Sequence, residues 1–440
     1  MARRVVITGL GTISAAGIGI ESLWAAACEG RSALAPIEAF DASGFGSRIA
    51  GEVRGFKANK VVPKSYRKAT KVMARDIELA VGAADAAVRD AGLTTPGTDP
   101  DAEPTYPGPR SGAHIGAGLI AADIDELTAA LVESRGEDGR FDLPHWGREG
   151  MMNLTPLWLL KYLPNMLACH VTIIHDAQGP SNTITCAEAS GGLSLAESVR
   201  AIQRDKADVC YCGGAESKIN MMALFRQEMA GRLCTRSNEE PASAVRSWSA
   251  DAAGSVVGEG GGIVVVEAMD TATARGAEAY AEVLGFAATM SIHPRSGGLE
   301  PEPDGSGIAA AIRGALADAS IGADEVDAVV GMGSGIPACD AAEAAAIATA
   351  FGDRAGDLPL YSVRPVIGNC GAGGGGIDLA MAAMMLGEQA MPPRLNIGRP
   401  LDGIAGEPTT RRDAELGRVL VVSPGLGGQN VAVLLGKAEA

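Results

Sequence analysis

The chain has 440 residues, 47% of them hydrophobic but only 4% aromatic, and 59 are glycine. That length is enough for two structural halves around a large buried core. The excess of small residues suits helices packed closely on a buried sheet and argues against a β-sandwich. A formal net charge of −16 and a pI of about 4.9 argue against nucleic acid as a partner.

The start, Arg3-Arg4 followed by Val5-Val6-Ile7-Thr8, reads as a buried first strand. Glycines at 9, 11, 17 and 19 break any uniform apolar core of the kind a targeting segment needs. Residues 65–91 read as one long helix with Met73, Ile77, Val81 and Ala84 on a single face. Five prolines between 92 and 110 mark a surface loop. The run from His114 to Gly118 reads as the next strand, and Leu193, Ala196, Val199 and Ile202 as the apolar stripe of a helix. Two further buried strands, 207–212 and 261–267, close the first half.

The second half repeats the alternation. Helices are predicted over 308–319, 341–351 and 377–388, with strands over 326–330 and 359–363. Strands over 419–423 and 431–435 flank a glycine-rich turn. This pattern predicts an α/β protein with mostly parallel sheets covered by helices, divided into halves 1–267 and 268–440. No run is long enough to cross a membrane.

The eight cysteines form no Cys-x-x-Cys pair and no zinc-type spacing, so they read as reduced core thiols of a cytoplasmic protein, with no metal and no cofactor expected. Glycine fills every position from 371 to 376 except Ala372, without the lysine of a phosphate loop, which points to close backbone packing. His170 and His175 are expected in a strand ahead of residue 179, satisfying local hydrogen bonds. Against the acidic total stands a basic run, Arg54, Lys57, Lys60, Lys64, Arg67, Lys68, Lys71 and Arg75, with no acid between Glu52 and Asp76.

The most informative stretch is Gly179-Pro180-Ser181-Asn182-Thr183-Ile184-Thr185-Cys186-Ala187-Glu188, which leads into the helix with the 193–202 stripe. A strand turning sharply into a helix N-terminus is a favourable place for an acyl-accepting thiol, because the helix end lowers its pKa and holds an oxyanion. The stretch resembles the nucleophile turn of β-ketoacyl synthases, Gly-Pro-Ser, four residues, Thr-Ala-Cys-Ala-Ser. Counted from Gly179, the family's cysteine falls on Glu188.

The resemblance continues through Arg4 to Gly11, Pro164-Asn165-Met166, Gly213-Gly214-Ala215-Glu216, Gly258 to Gly262 and Gly427-Gly428-Gln429-Asn430. It implies the thiolase-like fold, two duplicated βαβαβαββ halves in five layers, normally dimeric. In that family two histidines polarise the malonyl thioester and a lysine supports the second. The matching positions here are Met332 and Asn369 for the histidines and Arg364 for the lysine. The gate phenylalanine becomes Leu426.

With the nucleophile and both histidines replaced, the expectation is lost condensing activity. Methionine offers an oxyanion no hydrogen bond, and a single asparagine donor without a nucleophile does not make a carbon–carbon bond. The resemblance also places Leu426, Gly427, Gly428 and Cys186 at the walls of the substrate site. Cys186 is read as a core thiol, the alternative being a displaced nucleophile about 6–7 Å from the helix N-terminus. Glu188 is read as a helix cap or a replacement for the thiolate's charge, the alternative being a base or oxygen nucleophile.

The nearest functional analogy is the chain-length-factor subunit of type II polyketide synthases, which carries glutamine at this position and pairs with an active ketosynthase. The implied role is a partner that shapes the acyl tunnel, with residues 165–186 as the candidate contact. The alternatives are an acyltransferase, thioesterase or decarboxylase using Glu188, or an acyl-binding homodimer. Lys64, Arg67 and Lys68 match positions that the family uses to dock acyl carrier protein.

Overall fold

The computed structural model describes residues 3–291, 293, 299–406 and 408–438; Met1 and Ala2 of the opening segment lie outside them. One continuous path of strands runs through the molecule. Its order is Leu360–Tyr361, Ala328–Val330, Arg418–Pro424, Gln429–Gly436, Ala281–Met290, Val5–Ser14, Val257–Ala268, Val209–Ser217, Ser111–Ala117 and Ser181–Ile184.

Read inward from either end, each half has the same pairing. Two parallel ladders come first, then two antiparallel ones. The duplication expected from the alternation is therefore present, but the sheet is mixed where the sequence suggested mostly parallel strands. Along this path Val257–Ala268 and Gln429–Gly436 each run antiparallel to both of their neighbours.

Side-chain parity along the strands sorts the core into layers. Val264, Val266, Val419 and Val421 face a central cluster with Leu195 and Val199 of the helix Ser190–Gln203 and Leu379, Met381 and Met385 of the helix Ala372–Glu388. Ile263 and Val265 face the opposite way, onto Ile77, Val81 and Val88 of the helix Arg75–Asp90 and Leu167 and Val171 of the helix Met166–His175. Leu420 and Val422 face Ile308, Ile312 and Ile347 of the helices Ser306–Ala319 and Pro337–Phe351. The result is five layers: helix, sheet, central helices, sheet, helix.

The two central helices cross at backbone distance. A Cβ on Gly376 would lie 1.9 Å from the carbonyl oxygen of Gly262, and one on Gly191 would lie 2.4 Å from the nitrogen of Gly376. This close packing explains the glycine run, and every residue from Ala372 to Leu386 is buried.

Three local expectations are corrected. The 65–91 segment is not one helix: two short 3-10 turns, Lys64–Tyr66 and Ala69–Val72, precede Arg75–Asp90. Like charges at Lys64, Arg67, Lys68 and Lys71, spaced three and four apart, disfavour a regular helix there. His170 and His175 lie in the helix Met166–His175, not in a strand. Their hydrogen-bonding role is as expected: His170 Nδ1 meets the Tyr66 hydroxyl at 2.8 Å and His175 Nδ1 the Thr95 hydroxyl at 2.9 Å. Cys186 falls after the strand Ser181–Ile184, so strand geometry does not set its direction.

Candidate functional site

The strand Ser181–Ile184 leaves the sheet at its edge and turns through Cys186 and Ala187 into the helix Ser190–Gln203. Ala187 has φ 47°, a left-handed conformation that costs a non-glycine residue energy and persists only where its surroundings enforce it. The turn aims Glu188 inward, where the residue is 1% exposed.

The Glu188 carboxylate caps none of the helix N–H groups, so the capping expectation does not hold. Instead Oε2 accepts from the backbone N–H of Leu426 at 2.9 Å, and Oε1 accepts from Asn369 Nδ2 at 3.0 Å. The amide orientation of Asn369 is fixed on its other side, where Oδ1 accepts from the N–H of Gly371 at 2.8 Å.

Two buried cations face the same oxygen, Lys218 Nζ at 3.6 Å and Arg232 Nη2 at 3.7 Å. Burial alone would push the Glu188 carboxyl up. The fields of Lys218 and Arg232, with the two hydrogen bonds, overcome it and hold the group ionised, well below the ordinary carboxylate range. Lys218 also serves Glu216: burial pushes that carboxyl up and Lys218 lowers it, while the N–H of Ala372 donates to Glu216 at 2.7 Å.

A second buried pair lies nearby. Arg364 Nη1 and Nη2 donate to Asp378 Oδ1 and Oδ2 at 2.8 and 2.6 Å, and Nη2 lies 3.2 Å from Met332 Sδ. Both terminal nitrogens of the guanidinium are thus committed to its own carboxylate, while the buried Nε has no hydrogen-bond partner among the described residues.

A small cavity of about 30 Å³ is lined by Arg232, Met332, Ser334, Cys339, Leu426 and Gly428, among others. That is room for a water or two, not for an acyl chain. A larger cleft of about 410 Å³ is lined by Phe40, Met73, Ile120, Ile124 and Met221, with Asp76 and Ser217 in its walls.

The site residues named from the sequence are partly brought together. Glu188 bonds both Asn369 and Leu426, while Arg364 and Met332 form a separate contact. Gly428 lines the small cavity, and Gly427 and Cys186 are not among its lining residues. The Cys186 thiol packs against the central core, and its pKa is raised by burial. The exposed Lys64 opens the first 3-10 turn, and the exposed Arg67 and Lys68 sit between the two turns.

Lys218 and Arg232 escaped the sequence reading. The available signal was indirect: a carboxylate at a buried helix start needs counter-charge, and Lys218 follows the Glu216-Ser217 end of a buried strand. Among the described residues no helix is long and apolar enough to cross a membrane.

The model of the β-ketoacyl synthase N-terminal domain matches residues 2–272, and that of the C-terminal domain matches residues 280–398. The chain belongs to the β-ketoacyl synthase family. It is 31% identical over 439 residues to 3-oxoacyl-[acyl-carrier-protein] synthase 2 of Coxiella burnetii, covering 99% of each chain. It is 32% identical over 443 residues to the putative polyketide beta-ketoacyl synthase 1 of Streptomyces halstedii, covering 99% of this chain and 98% of that one. Among solved structures it matches the ishigamide ketosynthase/chain length factor with a TM-score of 0.82 at 28% identity, covering 100% of both chains. The five layers are therefore those of a thiolase-like ketosynthase.

Proposed function

We propose that this β-ketoacyl synthase homologue does not condense acyl chains itself. It serves instead as a chain-length-factor-like subunit that pairs with an active ketosynthase in type II fatty-acid or polyketide synthesis. The observation that carries this reading is Glu188, buried, ionised and held by Leu426, Asn369, Lys218 and Arg232 at the position of the family's nucleophile. A carboxylate in that setting takes no acyl group. Its lone pairs are engaged, and its low pKa makes it a poor base and an unsuitable acid. Met332 cannot donate to an oxyanion, and Arg364 is committed to Asp378.

The same arrangement argues against the alternative of an acyltransferase, thioesterase or decarboxylase using Glu188. The edge strand Ser181–Ile184, with Ser181 and Asn182 exposed and Ile173 61% exposed on the neighbouring helix, supports 165–186 as the partner contact. The 410 Å³ cleft, one of several of that size among the described residues, has volume for acyl carbons and supports the tunnel-shaping role. The similarity to a ketosynthase/chain length factor structure supports the pairing. The exposed Lys64, Arg67 and Lys68 support docking of an acidic acyl carrier protein.

The test is incubation of the purified chain with malonyl- and acyl-carrier protein, followed by mass analysis of the carrier. The reading predicts neither ketoacyl product nor loss of carbon dioxide. Turnover abolished by Glu188→Ala would replace it with the catalytic one.

A further inference from the structure

The helices Ile124–Glu133 and Leu143–Arg148 lie on the surface and are joined by the loop 134–142, closed by an antiparallel bridge between Arg135 and Phe141. Their relative position is fixed by contacts that do not involve the charged groups discussed next. The N–H of Asp142 donates to the carbonyl of Ser134 at 2.8 Å, Asp142 Oδ1 accepts from the N–H of His145 at 3.0 Å, and the rings of Phe141 and Trp146 pack with centroids 5.6 Å apart. This framework brings Glu133, at the end of the first helix, against His145 and Glu149, four residues apart on the second.

His145 Nε2 lies 3.5 Å from Glu133 Oε1 and 4.0 Å from Glu149 Oε2, and the three ligand atoms are all within 4.8 Å of one another. Among the described residues, no lysine or arginine pairs with either glutamate. The buried His114, His170 and His175 each engage a hydroxyl, whereas the ring nitrogen of the part-exposed His145 faces carboxylates.

We propose that Glu133, His145 and Glu149 bind one divalent transition-metal ion of the zinc type. One imidazole nitrogen and two carboxylate oxygens are a common zinc donor set. Bonds of about 2.0–2.2 Å in a tetrahedral site place neighbouring ligand atoms about 3.3–3.6 Å apart. With no edge of the observed triangle longer than 4.8 Å, the contraction needed is about 1.2–1.5 Å at most. The side chains are 52%, 29% and 62% exposed for Glu133, His145 and Glu149, so they can make that adjustment and leave a face open to water. Two carboxylates thus face one imidazole with no lysine or arginine ion pair among the described residues, a donor set that a dication can bridge. The ion would staple the two helices together. Magnesium and calcium, which need more oxygen ligands, fit this set poorly.

The test uses the full-length chain without an affinity tag, titrated calorimetrically with zinc, magnesium and calcium near pH 7.5, together with His145→Ala and Glu133→Gln. Circular dichroism verifies that both variants are folded. Cobalt(II) serves as a spectroscopic probe, and the His145 ring resonances are followed on adding zinc. The proposal predicts one zinc per chain, weakened on the order of tenfold or more in each variant, with no thiolate band in the cobalt spectrum and a shift of the His145 resonances. It is overturned if the wild-type chain takes up no zinc, leaving an exposed ion pair only. It is also overturned if uptake is unchanged in His145→Ala or if cobalt shows thiolate ligation by the cysteines.

Discussion

Glu188→Gln removes one negative charge from a buried cluster and leaves its shape nearly intact. At an effective dielectric of about 20, a pair of unit charges 3.6 Å apart is worth about 4–5 kcal/mol, and Glu188 faces two cations at such distances. Its own burial penalty of several kcal/mol offsets part of that sum, but the cations stay buried when it is gone, so the net loss is about 3–5 kcal/mol. Lys218 keeps the field of Glu216, and Arg232 Nη1 keeps the Leu299 carbonyl at 3.3 Å, which places the expectation near the lower figure.

For a chain of this length each kcal/mol moves the thermal midpoint by about 1 °C, so the variant should melt about 3 °C lower at pH 7. The pH dependence sharpens the test. The folded pKa of Glu188 lies below its unfolded value, so its stabilisation is full above about pH 4.3 and is lost as the pH falls further. The difference between wild type and variant should therefore shrink on acidification below pH 4. Adding Lys218→Met to Glu188→Gln should cost less than the sum of the two single changes. Scanning calorimetry between pH 3.5 and 7 reads all of this. A variant as stable as the wild type at pH 7, or a difference that does not change with pH, would refute the cluster's role.

Glu188→Cys alone should not create condensing activity, because Met332 still cannot donate to an oxyanion; ketoacyl product detected on the carrier protein would contradict this. Changing Lys64, Arg67 and Lys68 together to glutamate should weaken acyl carrier protein binding at least tenfold at low salt, and much less at high salt, where screening removes the steering. Surface plasmon resonance at two ionic strengths distinguishes this from an inert solvated face. Gly376→Ala should prevent stable folding, since its Cβ would meet the Gly262 carbonyl oxygen at 1.9 Å, whereas Gly356→Ala, with nothing within 4 Å, should be neutral. Comparison of soluble yield and melting temperature checks both.

Much of the architecture was legible because its signals were local. Val264 and Val266 alternate with Ile263 and Val265, and the two sets do face different layers. The helix Ala372–Glu388 begins five residues earlier than periodicity suggested, since glycines weaken the helix pattern while tertiary packing demands them. Likewise Pro337 starts its helix ahead of the predicted 341, where a missing N–H is harmless. The replaced positions Glu188, Asn369, Met332 and Arg364 were found by their spacing within motifs. What filled the space around them was not, because Lys218 and Arg232 are distant in sequence from the residue they serve and belong to no motif of the strand-and-turn grammar. A carboxylate facing two buried cations is a three-dimensional fact, and the sequence carried only the charge that required one.

The central claim is that this chain works as the non-condensing half of a pair. Native mass spectrometry of the protein purified from its own cells tests it most directly. The account predicts a one-to-one complex with a second ketosynthase that carries an intact cysteine and two histidines. A homodimer with no such partner would contradict it.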